Sequence, residues 1–392
     1  MKNFFKRPSH ENDEATTEND FDAWRALVSF RPVKFFGIIA LLSLPVLVLS
    51  YISENFSEGY TRTVGNFLRN VTAKISGIVP FSIIEFIIVF GICFLIFSIY
   101  KAISDHIRKV PYEKRFDIIF NRAVALFFLV SFSLYNLTFA ACSGRYPLEK
   151  NMGLYRASLS HTELMDFAQT VVYELNDCVM EMDFRATPEG SSCMPYSYTE
   201  LNQKLNKLYR EYSEKNKFVA GFSSKVKRVA LSKLMTYTHI SGVYVPFTGE
   251  VNVNINYPHY VTAFTYAHEM AHQRGIARED EANFVAFCVM YECGDSYLKY
   301  SALLQLFDYI TNAVYMENPD DFISLYSLCD KRILREEIAY ADFFDTYRDS
   351  SASSIFGAVN DASIKLRGDS DGEKSYDMMI ELAASYFETK NK

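Results

Sequence analysis

Hydrophobic residues are arranged in two different ways along this chain. Before residue 142 they form long runs, at 33–52, 81–100 and 123–141. Each is about 20 residues, the length at which a helix crosses a hydrocarbon layer of ~30 Å. Only Lys34 and Glu85 bring charge into the first two, and Pro45 is a break that packed neighbouring helices tolerate. These runs predict three transmembrane helices. Glu85 falls in the first turn of its helix, where an anion is accommodated, although a carboxylate in a membrane is also a functional candidate.

After residue 142 the pattern is that of a folded body. Apolar residues at helical spacing predict helices over 155–181, 199–217, 296–315, 320–335 and 376–387. Pro188, Gly190, Ser191, Ser192 and Pro195 mark 185–198 as a loop. Turn residues surround short apolar pieces at 241–249, and 250–256 then alternates strictly, as a strand with one wet face does. Just ahead of the next helix, such a strand suits pairing with an extended peptide, or is an ordinary sheet strand. Residues 360–375 read as a polar loop and 1–30 as a disordered tail. The expected architecture is a three-span helical membrane anchor (31–142) followed by a mainly α, α+β domain with a small sheet (143–392).

Composition and charge add orientation. The chain has 392 residues, a formal net charge of −7, 33 Phe and 27 Tyr. It carries no basic stripe or nucleic-acid motif, so nucleic-acid partners are not expected, and no cleavable signal pattern opens it. Lys2, Lys6, Arg7, Arg25, Arg31 and Lys34 precede or open the first span, and Lys101, Arg108, Lys109, Lys114, Arg115 and Arg122 lie between the second and third. The first inter-span loop has only Arg62, Arg69 and Lys74. Positive residues mark the cytoplasmic side, so the folded body is expected outside the membrane. There Cys178 and Cys193 could be bridged or free.

Chemistry concentrates in one stretch. His268, Glu269 and His272 spell H-E-x-x-H within a helix expected over 261–271 and ended by Gly275. Residues four apart share a helix face, so both imidazoles can grip one Zn²⁺, with Glu269 as general base toward water. The plainer alternative is an amphipathic helix with two satisfied histidines. Arg278 stands where a metzincin has its third histidine, and a guanidinium does not ligate. Gluzincins instead use a Glu on the next helix, with an Asp or Asn four residues on that orients a histidine. Glu279 and Asn283 fit, with small Ala282 allowing close packing. Glu281 lies about 200° round that helix from Glu279, so only one of them can face the metal. Glu279 is the expected third ligand. The interval from His272 is short for a gluzincin, which keeps Glu281 open. His259, Tyr244, Tyr257 and Tyr266 are further candidates for substrate or oxyanion contacts.

Tyr244-Val-Pro-Phe-Thr-Gly-Glu250, His268-Glu-Met-Ala-His-Gln-Arg-Gly275 and Glu279-Asp-Glu-Ala-Asn-Phe284, behind three spans, resemble the DUF3810 family of bacterial membrane proteins, within the zinc-metallopeptidase superfamily. The resemblance covers most of the chain. It implies a zincin-like, gluzincin-type site with His268, His272 and Glu279 as ligands and Glu269 as base. The expected activity is hydrolysis of a peptide or cell-envelope substrate. The competing expectation is a non-catalytic membrane protein whose zinc is structural or vestigial.

Overall fold

The computed structural model describes Arg25 and residues 27–110, 116–156, 158–348 and 374–390. Most of the expected tail at 1–30, and all but the end of the polar loop at 360–375, lie outside the described residues.

The first run forms α1 (Arg31–Ile52), with Pro45 inside it. The stretch read from sequence as a loop is helical instead. Ser53 caps α2 (Glu54–Tyr60) by accepting from Phe56 N, a π turn (Thr61–Gly65) follows, and α3 (Asn66–Ser76) completes an arm between spans. The second and third runs form α4 (Ile83–Ile107) and α5 (Phe116–Thr138). Both differ from the expected bounds at their charged, loop-side ends, where polar residues continue the helices past the apolar cores.

Among the described residues, three helices are thus long and apolar enough to cross a membrane. Their large side chains face outward: Leu41, Leu42, Ile88, Phe90 and Ile96 are exposed. Ala40, Ser43, Ser50, Ser98, Ser133 and Asn136 are buried instead. Asn136 Nδ2 donates to Ser43 Oγ at 3.1 Å, joining α5 to α1. Small and polar residues between helices, with apolar ones outward, are what lipid contact demands.

The folded body continues with α6 (Leu148–Met152), α7 (His161–Glu181) and α8 (Tyr198–Lys215). The last two open on capping boxes, Ser160 with Glu163 and Ser197 with Glu200, which fix their starts. Next come β1 (Val226–Arg228), α9 (Ser232–Thr236), β2 (Gly242–Val245), β3 (Glu250–Val253), α10 (His259–Gln273), α11 (Glu279–Tyr291) and α12 (Ser296–Glu317). The chain ends with α13 (Pro319–Tyr326), α14 (Lys331–Asp345) and α15 (Lys374–Lys390). The single helix expected over 320–335 is broken, because the Asp330 carboxylate accepts from Arg332 N and starts α14 afresh. Tyr260, Phe264, Phe284, Phe287, Tyr300 and Phe307 from α10, α11 and α12 fill the core.

The sheet corrects another expectation. Its order is β1-β3-β2, with β3 parallel to β1 and antiparallel to β2. The alternating stretch is therefore central, and all four β3 residues are buried. On its polar face Glu250 and Asn254 are engaged by protein rather than water, while Asn252 between them is buried with neither side-chain polar atom hydrogen-bonded. The Glu250 carboxylate accepts from Ile83 N, in the first turn of α4, at 3.1 Å and lies 4.0 Å from Lys227 Nζ. In line with it beyond β3, Asn254 donates to Thr236 Oγ1 and the Ile240 carbonyl. Thr138 Oγ1, at the end of α5, donates to the Pro246 carbonyl at 3.3 Å. The body thus sits against one end of the span bundle. Glu85 has a structural role there: its carboxylate accepts from Ala230 N and Leu231 N, both at 2.8 Å, fastening α9 to α4.

Candidate metal centre

Helix α10 is buried along nearly its whole length, including Glu269, His272 and Gln273. Four-residue spacing stacks its two histidine rings on one face, with centroids 4.6 Å apart. Gly275, at φ +98°, reverses the chain, and Ile276 N donates back to the Ala271 carbonyl. The same turn carries the Ile276 carbonyl to 2.7 Å from His272 Nδ1. An Nδ1–H donated to that carbonyl leaves Nε2 as the ligand atom, the tautomer a metal-binding imidazole needs.

Helix α11 starts four residues later and brings Glu279 back to the pair. Glu279 Oε2 lies 3.2 Å from His268 Nε2 and 3.3 Å from His272 Nε2. One ligand atom from each residue fits within 4.8 Å of the others. Ligands held about 2.0–2.1 Å from a tetrahedral Zn²⁺ stand about 3.3 Å from one another, so both His–Glu separations fit this ion. The electrostatics follow from this convergence. Burial opposes a charge on His268, but hydrogen bonding to Glu279 and the charges of Glu269 and Glu279 outweigh it and raise its pKa. Burial likewise opposes ionisation of Glu279, yet the two imidazoles hold its carboxyl well below the usual range.

Of the two acids left open by sequence, Glu279 joins the histidines and Glu281 does not. The buried Glu281 carboxylate turns to the opposite side of α11, accepting from Leu148 N at 2.8 Å and pairing with Arg278 at 2.8 Å. Asn283 lies beside His268 and favours its charged form, while His268 Nδ1 is buried without a hydrogen bond of normal geometry.

Glu269 is buried beneath the edge strand β2. A Cβ placed on Gly242 would come within 2.8 Å of Glu269 Cγ and 3.0 Å of its Oε1, so glycine is what allows strand and carboxylate to approach. The strand edge nearest this acid therefore belongs to β2, not to the alternating stretch at 250–256.

His259 is not brought to the cluster. It opens α10, about 13 Å along the helix axis from His268, and its Nδ1 accepts from Met194 N at 3.1 Å. Tyr257 packs on Phe343 and Tyr266 stacks on Tyr198. Tyr244 is separated from His272 by the ring of Phe139. Cys178 and Cys193 are both free thiols.

Two arginines buttress the turn after α10: Arg69, which the sequence shows only as a loop charge, and Arg145, which no motif singles out. Arg145, fully buried, donates to both Glu58 oxygens at 2.7 and 2.9 Å and to the Gly275 and Phe218 carbonyls at 3.0 Å. Burial would raise the Glu58 pKa, but Arg145 and Arg62 hold it below the ordinary value. Arg69, equally buried, donates to the Thr61 carbonyl at 2.7 Å and the Thr138 carbonyl at 3.2 Å. Its Nη2 would lie 2.7 Å from a Cβ on Gly275.

Residues 60–384 match the profile of a family described as a protein of unknown function (DUF3810). The chain belongs to the DUF3810 family. The region shared with DUF3810 runs from the arm, through α4 and α5, to α15, and takes in every residue of the candidate centre. No curated protein and no solved structure matches the chain.

Proposed function

We propose that this DUF3810 protein is a membrane-anchored, zinc-dependent hydrolase of peptide or amide bonds with a zincin-like site. Its folded body faces outward, as the distribution of Lys and Arg between the loops argues. The observation that carries the reading is the convergence of His268, His272 and Glu279 at mutual His–Glu distances of 3.2 and 3.3 Å, with Glu269 on the same helix.

His268, His272 and Glu279 would hold the ion. Zn²⁺ bound there supplies a Lewis acid that acidifies water and polarises an amide carbonyl. The remaining work belongs to the chain. The Ile276 carbonyl fixes His272 in the ligating tautomer. Glu269 accepts a proton from the attacking water and delivers it to the departing nitrogen. The β2 edge above Glu269 lines up an extended substrate by backbone hydrogen bonds.

Glu269→Gln tests the assignment, since it keeps the size of the side chain and removes the base. Zinc content is expected to be unchanged, with chelator-sensitive hydrolysis of a peptide library falling about 10²–10⁴-fold. Hydrolysis by the variant at the parental rate removes Glu269 from catalysis. Bound zinc with no chelator-sensitive hydrolysis by the parent favours a structural metal in a binding module.

A further inference from the structure

The α2–α3 arm has its polarity reversed for a helix in water. Ser57, Glu58, Thr61, Gly65, Arg69, Ala73 and Ser76, recurring every three or four residues, are buried. The exposed side of α2 is polar, with Glu54 and Asn55, but from the π turn onward it carries Val64, Phe67, Ile75 and Ile78, the last 79 % exposed, beside Arg62, Thr63 and Lys74. Phe81 continues this surface to the start of α4 and is also exposed. A helix with polar and small residues inward and an apolar stripe outward has lipid as its outer solvent.

Three further observations place that stripe at the bilayer. The arm begins two residues after α1 ends and finishes seven residues before α4 begins, so both ends are tied to one end of the spans. Leu231, whose N–H the Glu85 carboxylate holds at the first turn of α4, and Leu234 on α9 are also exposed. The candidate centre itself lies beside the third span: Phe139, directly after α5, packs on the His272 ring at 5.9 Å.

The arm also holds the centre. Arg69 and Thr61 press on Gly275 in the turn after His272. Thr72 packs on Gly249, and the Gly249 carbonyl accepts from Gln273 Nε2 at 2.7 Å. Both glycines have positive φ and accept no side chain there. One face of the arm thus carries the apolar stripe while the other clamps the C-terminal end of α10.

We infer that the arm and α9 are sunk into the membrane face beside the body, and that the candidate centre works at the bilayer surface on polypeptides tethered to the bilayer. The substrate class rests on the hydrolase reading; the placement of the arm does not. Tethering confines a substrate to the layer where the centre lies, raising its effective concentration.

The full-length protein, with its single tryptophan replaced (Trp24→Phe), is reconstituted in vesicles of phosphatidylethanolamine and phosphatidylglycerol, with or without bromine on the acyl chains. Tryptophan is then introduced as Phe67→Trp, Leu234→Trp or, on exposed α7, Tyr173→Trp. Bromine is expected to quench the first two by about half or more and to spare the third, as shallow burial of an apolar face requires. Equal quenching at all three sites, or none at Phe67→Trp, overturns the placement. In unbrominated vesicles, a fluorogenic peptide with an N-terminal palmitoyl chain is expected to be cleaved about a hundredfold faster than the same peptide without it. Equal rates overturn the substrate class and leave the hydrolase reading standing. No cleavage of either peptide by the zinc-loaded protein overturns the hydrolase reading and the substrate class with it, while the quenching still decides where the arm lies.

Discussion

Helices α4 and α10 are both rich in apolar residues, yet they place them in opposite surroundings. In α4, Phe86, Ile88, Val89, Phe90 and Ile92 are exposed and Ser98 is buried. In α10, every residue from Tyr260 to Ala267 is buried. The same removal of apolar surface from water is achieved against lipid in one case and against protein in the other. Polar side chains reveal which solvent applies. Those of the spans serve helix packing, as Asn136 does with Ser43. Those at the end of α10 are each engaged around one turn: His272 with Ile276 and Glu279, Gln273 with Gly249. The arm follows the rule of α4, although it is too short and too polar to cross a bilayer.

The sharpest way to break this comparison is to remove equivalent bulk from each helix. Phe264→Ala on α10 empties a packed site and is expected to cost about 3–5 kcal/mol. Ile96→Ala on α4 loses only lipid contact and should stay within about 0.5 kcal/mol of the parent. Thermal melts in lipid nanodiscs measure both, and similar losses would mean that α4 is buried in protein. Arg145→Ala tests the polar end of α10 by stranding Glu58 beneath the metal turn. Breaking such a buried pair is expected to cost about 3–5 kcal/mol, somewhat less here because Arg62 still faces Glu58. A melting temperature matching the parent's would show that the arm does not brace the turn.

A smaller effect concerns pH and lies away from the candidate centre. Burial first, then the charge of Glu336, pushes the Glu337 carboxyl up to about 7 from an ordinary value of 4.5. Asp308 on α12 is raised by burial and by Glu337. The folded chain therefore binds more protons than the unfolded one between these values. This contribution to stability is complete below the ordinary carboxyl value and is lost as pH rises through about 7. Melting temperatures taken between about pH 5 and pH 8 should fall with rising pH, and Glu337→Gln should flatten that slope. An unchanged slope in the variant would assign the dependence to other groups.

The legible parts of this protein were those governed by local pattern. Long apolar runs identify α1, α4 and α5, and helical spacing of apolar residues identifies α7 and α8, although α7 begins at His161 rather than 155 because Ser160 caps it there. The arm was read as a loop because its apolar stripe alternates with Arg62, Arg69 and Lys74 and matches neither a span nor a water-soluble helix. Alternation at 250–256 revealed a strand but not its surroundings. Whether Glu250 and Asn254 meet water or protein depends on α4 and α9, which are distant in sequence. In the candidate centre, four-residue spacing paired the histidines, and angular position round α11 separates Glu279 from Glu281. The roles of Gly242, Arg69 and Arg145 are not legible in the sequence because each acts across more than 25 residues of intervening chain, where no periodicity links them.

The central claim is that His268, His272 and Glu279 form one zinc site. Metal analysis of the purified full-length protein, beside His272→Ala, Glu279→Ala and Glu281→Gln, tests it most directly. The account predicts about one zinc per chain in the parent and in Glu281→Gln, with most of it lost from the other two. Zinc absent from the parent, or retained equally in His272→Ala and Glu279→Ala, would contradict it.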